Sequence, residues 1–264
     1  MDGYIVCRKE NGKWKEIKTI PSVGTVQYTD AGLQYGQKYT YTVKTYQKSG
    51  NKKKTGAFDQ TGYSAKLAWT SKYVKGYKLF YDAAGKWIKD VDGIIGKQSS
   101  YYLKVNKQCN TLTIYAKDGE KGYTIPVKAF VTSCGNGTPT GTFYTPSKYR
   151  WHTLSHGVQG QWCTRIKPRI LFHSVWYSSR NNKDLSVKEY NRLGTLASAG
   201  CVRLSCEGAK WIYDNCSLKT KVTIYNDSDC GPLGKPTADK LPSWHTWDPT
   251  DPNLRELCQK KGCH

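Results

Sequence analysis

Cys201 and His173 are the two side chains of this 264-residue chain whose types and settings point to covalent catalysis. Cys201 stands in the run Ser198-Ala199-Gly200-Cys201-Val202-Arg203, and His173 closes the apolar run Arg169-Ile170-Leu171-Phe172-His173-Ser174. A free thiol, with a pKa near about 8.5, works as a nucleophile when a neighbouring imidazole or a helix N-terminus stabilises its thiolate. The sequence offers both aids: a histidine at a strand end, and a small-residue turn that delivers Cys201 just before a helix. Gly200 lets the backbone approach a substrate carbonyl closely, and the amides of Gly200 and Cys201 are candidates for an oxyanion hole. The structural alternative makes Cys201 half of a disulfide and His173 a satisfied strand-end histidine. The turn chemistry around Cys201, which a disulfide does not need, favours the nucleophile.

The elements that must position these groups are mostly strands. Tyr4 to Lys9, Lys13 to Ile20 and Lys38 to Lys44 alternate with period two. Residues 70–97 read as an aromatic hairpin and linker, turning at Asp82-Ala83-Ala84-Gly85. Further strands fall at Tyr101 to Val105, Thr111 to Tyr115, Thr124 to Val131 and Lys221 to Tyr225, and the Gly/Pro/Thr-dense run from Ser133 to Pro146 reads as loop. The one convincing helix runs from Ser205 to Cys216, with Ser205 as cap and Ala209, Ile212 and Tyr213 on one face. The insert between His173 and Ser198 reads as a lid or as a plain surface loop, the lid being favoured because it joins the two candidate catalytic segments. The fold class expected is mainly β with one or two helices, and residues 227–264 form an irregular C-terminal strap.

Composition narrows the setting. Lys and Arg outnumber Asp and Glu by 41 to 20, a formal net charge of +21, so the surface should concentrate anionic partners. Solubility alone and contact with anionic wall polymers fit that field equally; nucleic acid comes third, because no nucleic-acid module is present and the basic residues are scattered. Ten cysteines without the paired spacing of a zinc site favour an oxidising, extracellular location. With one of them a free nucleophile, at least one other is left unpaired or bridges to a second chain. His152 and His156 share no ligand-like spacing with a cysteine or carboxylate, so they read as surface or groove residues, and no metal or organic cofactor is indicated. No apolar run is long enough to span a membrane, so no stable insertion of this chain is expected. Met1-Asp2-Gly3-Tyr4 is not a signal peptide, and the chain reads as a piece of an exported protein.

The segment around Cys201 resembles the catalytic domain of the L,D-transpeptidase family (YkuD type), in which a His is followed, after a variable insert, by Ser/Thr-His-Gly-Cys. The resemblance extends over residues 98–226 and includes Ser133-Cys134-Gly135 and Gly137-Thr138-Pro139-Thr140-Gly141. It implies a β-sandwich-like catalytic domain. Cys201 would attack the third-residue carbonyl of a peptidoglycan tetrapeptide stem, expel D-Ala and pass the acyl group to an amine of a neighbouring stem. His173 would be the base, oriented by the backbone carbonyl of Ser174. Ser198, Ala199, Gly200 and Arg203 would surround the nucleophile, and Trp176 and Tyr177 would line the donor groove. Ala199 replaces the family's usual second His. Carbapenem-type inhibitors are expected to react. Residues 1–69, with Leu33, Gly36 and Tyr39 spaced like a tyrosine corner, resemble an incomplete fibronectin type III sandwich.

Two other functions stay open at this point. One is an L,D-carboxypeptidase or hydrolase that uses the same dyad with water as acceptor. The other is a non-catalytic wall-binding or adhesion protein whose site has lapsed with Ala199. Papain-like hydrolases are disfavoured, because their cysteine precedes their histidine.

Overall fold

The computed structural model describes residues 1–50 and 52–262. It divides into one compact unit of Met1–Ser71 with Phe80–Gly96, and a second of Lys72–Leu79 with Lys97–His264. The hairpin segment 70–97 is thus shared between the units.

In the first unit, β1 (Gly3–Glu10) and β2 (Lys13–Ile20) are joined by Asn11 and Gly12, both at positive φ, 50° and 79°. A two-residue hairpin turn matched to the strand twist requires that conformation. β3 (Lys38–Ser49), β4 (Lys52–Thr55) and β5 (Tyr63–Lys66) complete a sheet of order β2-β1-β3-β4, with β5 also on β3. Ile5, Cys7 and Tyr46 bury one face of it against Trp14. Residues 3–66 therefore build a single sheet, where the fibronectin-like reading leads one to expect two packed sheets. β6 (Trp69–Val74), β7 (Tyr77–Asp82) and β8 (Trp87–Ile88) form a three-stranded sheet, and α1 (Asp92–Ile95) follows. The β7–β8 turn is the one expected: Gly85 N–H donates to Asp82 O at 3.0 Å, and Asp82 Oδ1 accepts from Ala84 N–H at 3.0 Å.

The second unit carries two sheets. β9 (Tyr101–Asn106), β10 (Thr111–Ala116), β11 (Ile125–Val131), β12 (Gly141–Tyr144) and β17 (Lys221–Tyr225) pair in the order β11-β10-β9-β17-β12. β13 (Lys148–Thr153), β14 (Gln159–Lys167), β15 (Ile170–Ser174) and β16 (Val202–Leu204) form the other, in chain order. The period-two alternation read from the sequence becomes the buried face: Leu103, Leu112, Ile114 and Ile224 are at most 1% exposed. Each contributes about 1.5–3 kcal/mol of apolar burial.

Two short helices complete this unit's central part. α2 (Val187–Tyr190) lies in the insert after His173, and α3 (Cys206–Asn215) packs on β14, β15 and β16 through Ala209 and Ile212. Ser205 caps α3 as expected, its Oγ accepting from Gly208 N–H at 3.4 Å. Cys201, however, leads into β16 and not directly into a helix, so no helix N-terminus faces its sulfur through the chain. The reason is that Val202 and Leu204 take up parallel ladder positions beside Phe172 and Ser174, which keeps the chain extended until Ser205.

The C-terminal strap is fastened at several points. Cys109 and Cys230 form a disulfide, and α4 (Arg255–Lys261) packs through Cys258 beside Trp247 and Leu254. Asp248 is fully buried: its Oδ2 accepts from the Cys206 N–H at 2.7 Å, and its Oδ1 from the Thr250 N–H at 2.8 Å. The strap thus supplies an acceptor to an amide that the first turn of α3 leaves without an intrahelical partner. The strap ends in a helix where irregular chain was expected. Among the described residues no helix is long and apolar enough to cross a membrane. Asp248→Ala should lower unfolding free energy by about 1–3 kcal/mol, since it strands buried donors; urea denaturation measures this, and an unchanged midpoint would refute the anchoring role.

Candidate active site

β15 is the central positioning element. It pairs antiparallel with β14 and parallel with β16, and the latter ladder sets His173 beside Arg203. Neighbouring ladder positions project to the same sheet face, so imidazole and guanidinium share one side. A cavity of about 1030 Å³ opens there. His173, Trp176, Ser198, Ala199, Gly200, Cys201 and Arg203, all singled out from sequence, line it.

Two further residues singled out from sequence, Tyr177 and Ser174, are not among the lining. Tyr177 is fully buried in the core, its hydroxyl 2.9 Å from Gln161 Nε2 and 3.1 Å from Cys206 Sγ, so it does not line the groove. Strand alternation explains the error, since adjacent residues after His173 cannot both face the cavity. Ser174 contributes its carbonyl but not its side chain, whose Oγ donates to Val175 O at 2.8 Å and accepts from Gln161 N–H at 3.1 Å.

Cys201 is placed by backbone contacts to the loop after β11. Ala197 and Ser198 N–H donate to Cys134 O at 2.9 and 3.1 Å, and Thr138 Oγ1 donates to Gly200 O at 2.8 Å. Ser133 and Arg203 exchange two backbone bonds of 2.9 and 3.0 Å. Ser198 Oγ donates to Cys201 O at 2.6 Å. Neither the Gly200 nor the Cys201 N–H is used in these bonds. The loop can come this close only because it is glycine at two points: a Cβ on Gly135 would stand 1.8 Å from Ser198 O, and one on Gly137 would stand 2.3 Å from Ala199 O. The Gly-rich spacing was legible in the sequence; its role as a cradle was not.

Protonation follows from burial. His173 is 2% exposed, and its Nδ1 lies 2.5 Å from Ser174 O. A carbonyl only accepts, so Nδ1 carries the hydrogen, and Nε2 of the neutral ring is left with a lone pair. Burial first, then Arg203 and His152, press the imidazole down to about 4, against the Ser174 bond, which favours the charged form. Cys201 is half-buried and free of any bridge, and its Sγ donates to Arg169 O at 3.6 Å. Burial pushes this thiol up, opposed by a hydrogen bond from the Leu171 backbone and by Arg203 and Arg165. The resting forms are therefore a thiol and a neutral imidazole.

Sequence reasoning missed two supports. Glu189 of α2 forms an ion pair with Arg203 and another with Arg192, the latter at 3.0 Å. Burial opposes the charge on Glu189, but the two arginines hold its carboxyl below the usual range. The signal was present as Ser186 and Glu189 at capping-box spacing, with Ser186 Oγ accepting from Glu189 N–H at 3.4 Å. The insert is thus a packed brace for Arg203, with Leu185, Tyr190 and Leu193 buried, in place of the expected lid. The second support is Gly160 on β14: a Cβ there would be 3.2 Å from His173 Nδ1 and 3.1 Å from Leu154 Cδ1. His152 and His156, read as surface or groove residues, both line the cavity. Among the described residues no group of three or more His, Cys, Asp or Glu is placed to hold a metal.

Residues 100–224 match the YkuD family, described as an L,D-transpeptidase catalytic domain. YciB of Bacillus subtilis (strain 168), a protein named for an L,D-transpeptidase, is 33% identical over 135 residues, covering 48% of this chain and 67% of that one. An L,D-transpeptidase structure from Mycobacterium smegmatis is 17% identical at a TM-score of 0.37, covering 69% of this chain and 76% of that chain. L,D-transpeptidase 3 from Mycobacterium tuberculosis, in complex with a faropenem-derived adduct, is 18% identical at a TM-score of 0.38, covering 48% and 60%. This chain spans about half to three quarters of the first solved chains it matches.

Two outcomes test the geometry. Because burial raises the thiol above its ordinary value, iodoacetamide labelling of Cys201 should climb with pH through the alkaline range; a flat, fast rate at neutral pH would mean a preformed thiolate. Gly160→Ala crowds the His173 ring, and a shift of this kind costs on the order of 10²-fold in turnover. Wild-type turnover in a folded Gly160→Ala protein would show that the ring does not need that space.

Proposed function

This chain belongs to the YkuD L,D-transpeptidase family through residues 100–224, and from that premise we propose that it is a cysteine acyltransferase that cross-links peptidoglycan stem peptides. The observation that carries the reading is one cavity lined by a free, accessible cysteine and by a histidine whose Nδ1 is tied to its neighbour's carbonyl.

In this reaction the scissile carbonyl of the third stem residue enters the cavity at Cys201. As the C–S bond forms, the thiol proton passes to Nε2 of His173, and the carbonyl oxygen becomes an oxyanion. The Gly200 and Cys201 N–H groups, unspent in the cradle, are the donors for that charge. Collapse breaks the C–N bond, His173 returns the proton to the leaving D-Ala amine, and a thioester remains on Cys201. The acceptor amine then attacks the thioester, His173 removes its proton, and the thiol is restored as the new amide forms. Arg203 lowers the proton affinity of both groups, favouring the thiolate of Cys201 and the neutral ring of His173. Ala199, at the position of the family's second His, lines the cavity without adding a polar group, and the dyad on this reading does not require one.

The N-terminal unit fits an incomplete fibronectin type III-like module, supported by Gln34 N–H donating to the Tyr39 hydroxyl at 2.9 Å, the bond of a tyrosine corner. An exported, wall-associated location is supported by the Cys109–Cys230 bridge, because such bridges persist in oxidising compartments. The net charge of +21 suits contact with anionic wall polymers.

With disaccharide-tetrapeptide, the wild-type protein should release D-Ala and yield cross-linked dimer, while Cys201→Ala should lose on the order of 10⁴-fold or more of that rate. A carbapenem should add its mass to Cys201 of the wild type and not to the variant. D-Ala release without dimer would convert the reading to hydrolysis, and no reaction by folded protein would overturn it.

A further inference from the structure

The cavity wall is strongly cationic. Arg165, Arg169 and Arg203 line it, together with His152 and His156, and among the described residues no Asp or Glu does so. Glu189 neutralises Arg203, whereas among the described residues neither Arg165 nor Arg169 forms an ion pair. Arg165 is braced at the wall, its Nη2 3.5 Å from the Tyr149 hydroxyl and 3.4 Å from His152 Nε2. Arg169 is exposed, and among the described residues its guanidinium has no hydrogen-bond partner.

Two further observations set Arg169 apart. Its carbonyl accepts from the Cys201 thiol at 3.6 Å, so its backbone stands one hydrogen bond from the reacting sulfur. Its φ of 66° is in the left-handed region, where glycine would fit the β14–β15 turn without strain. The chemistry fits one target. A planar guanidinium pairs bidentately with a carboxylate, and the group found one residue beyond the attacked carbonyl of a tetrapeptide is the carboxylate of the residue being expelled.

We propose that Arg169 is the specificity-determining residue of the donor site, reading the free terminal carboxylate of the leaving D-residue. This rests on the acyl-transfer reading above. A stem extended by one more residue, or capped as an amide, presents a neutral group to Arg169 and is disfavoured. The action is thereby confined to the stem's last bond.

The test compares two disaccharide-tetrapeptides, identical except that one ends in D-Ala carboxylate and the other in D-Ala carboxamide, and follows thioester formation on Cys201 and release of the terminal residue. Wild type should favour the acid on the order of 10²-fold in kcat/KM, mostly through KM. Arg169→Gln should bring the ratio near unity by slowing the acid alone, and Arg169→Lys should restore part of it. Alkylation by neutral iodoacetamide should be equal in all three proteins, which separates recognition from damage to the nucleophile. An undiminished acid preference in Arg169→Gln, or none in wild type, overturns the proposal. If neither stem acylates Cys201 in folded protein, the acyl-transfer reading itself fails and takes this inference with it.

Discussion

The hydrogen bond from His173 Nδ1 to the carbonyl of Ser174 is the constraint on which the site depends. An imidazole at the end of a buried strand could rotate or exchange tautomers, and either change would remove the lone pair that the proposed proton transfer uses. A backbone carbonyl fixes both at once, because it can only accept. The rest of β15 serves that bond: β14 supplies a residue without a side chain, Gly160, against the ring, and β16 supplies Arg203 beside it. Burial then lowers the ring's proton affinity, so that it waits neutral.

Cys201, the proposed nucleophile, is held by a different principle. Its turn contains small residues with little to pack, and its position comes from backbone hydrogen bonds to residues 133–138, with Cys134 O, Thr138 Oγ1 and Ser133 making the bonds. That loop is tied in turn to the sheet by Asn110, whose Oδ1 accepts from Cys134 N–H at 2.9 Å. The two groups of the proposed dyad therefore belong to separate supports, a strand and a cradled turn. Arg203 joins them, extending from the strand that follows Cys201 into the pairing position of His173.

Much of this could be read from the residues. Period-two runs located β2 and β17 to the residue, and the Ser205 cap located α3, because those signals are local. That Cys201 and His173 line one cavity could be anticipated, because each ends a run of distinctive residue types. What was not legible depends on contacts distant in sequence. The face taken by Tyr177 was set by its buried hydroxyl bonds to Gln161 and Cys206. The short strand β16 was hidden because three residues carry no period, and the brace from Glu189 to Arg203 required knowing that the insert folds back as packed chain.

The most direct check on the central claim is a nitrogen NMR titration of the His173 ring in the substrate-free protein. The account predicts a single neutral tautomer, with hydrogen on Nδ1 and none on Nε2, persisting as pH falls until protonation near about 4. An imidazolium at neutral pH, or hydrogen on Nε2, would contradict it.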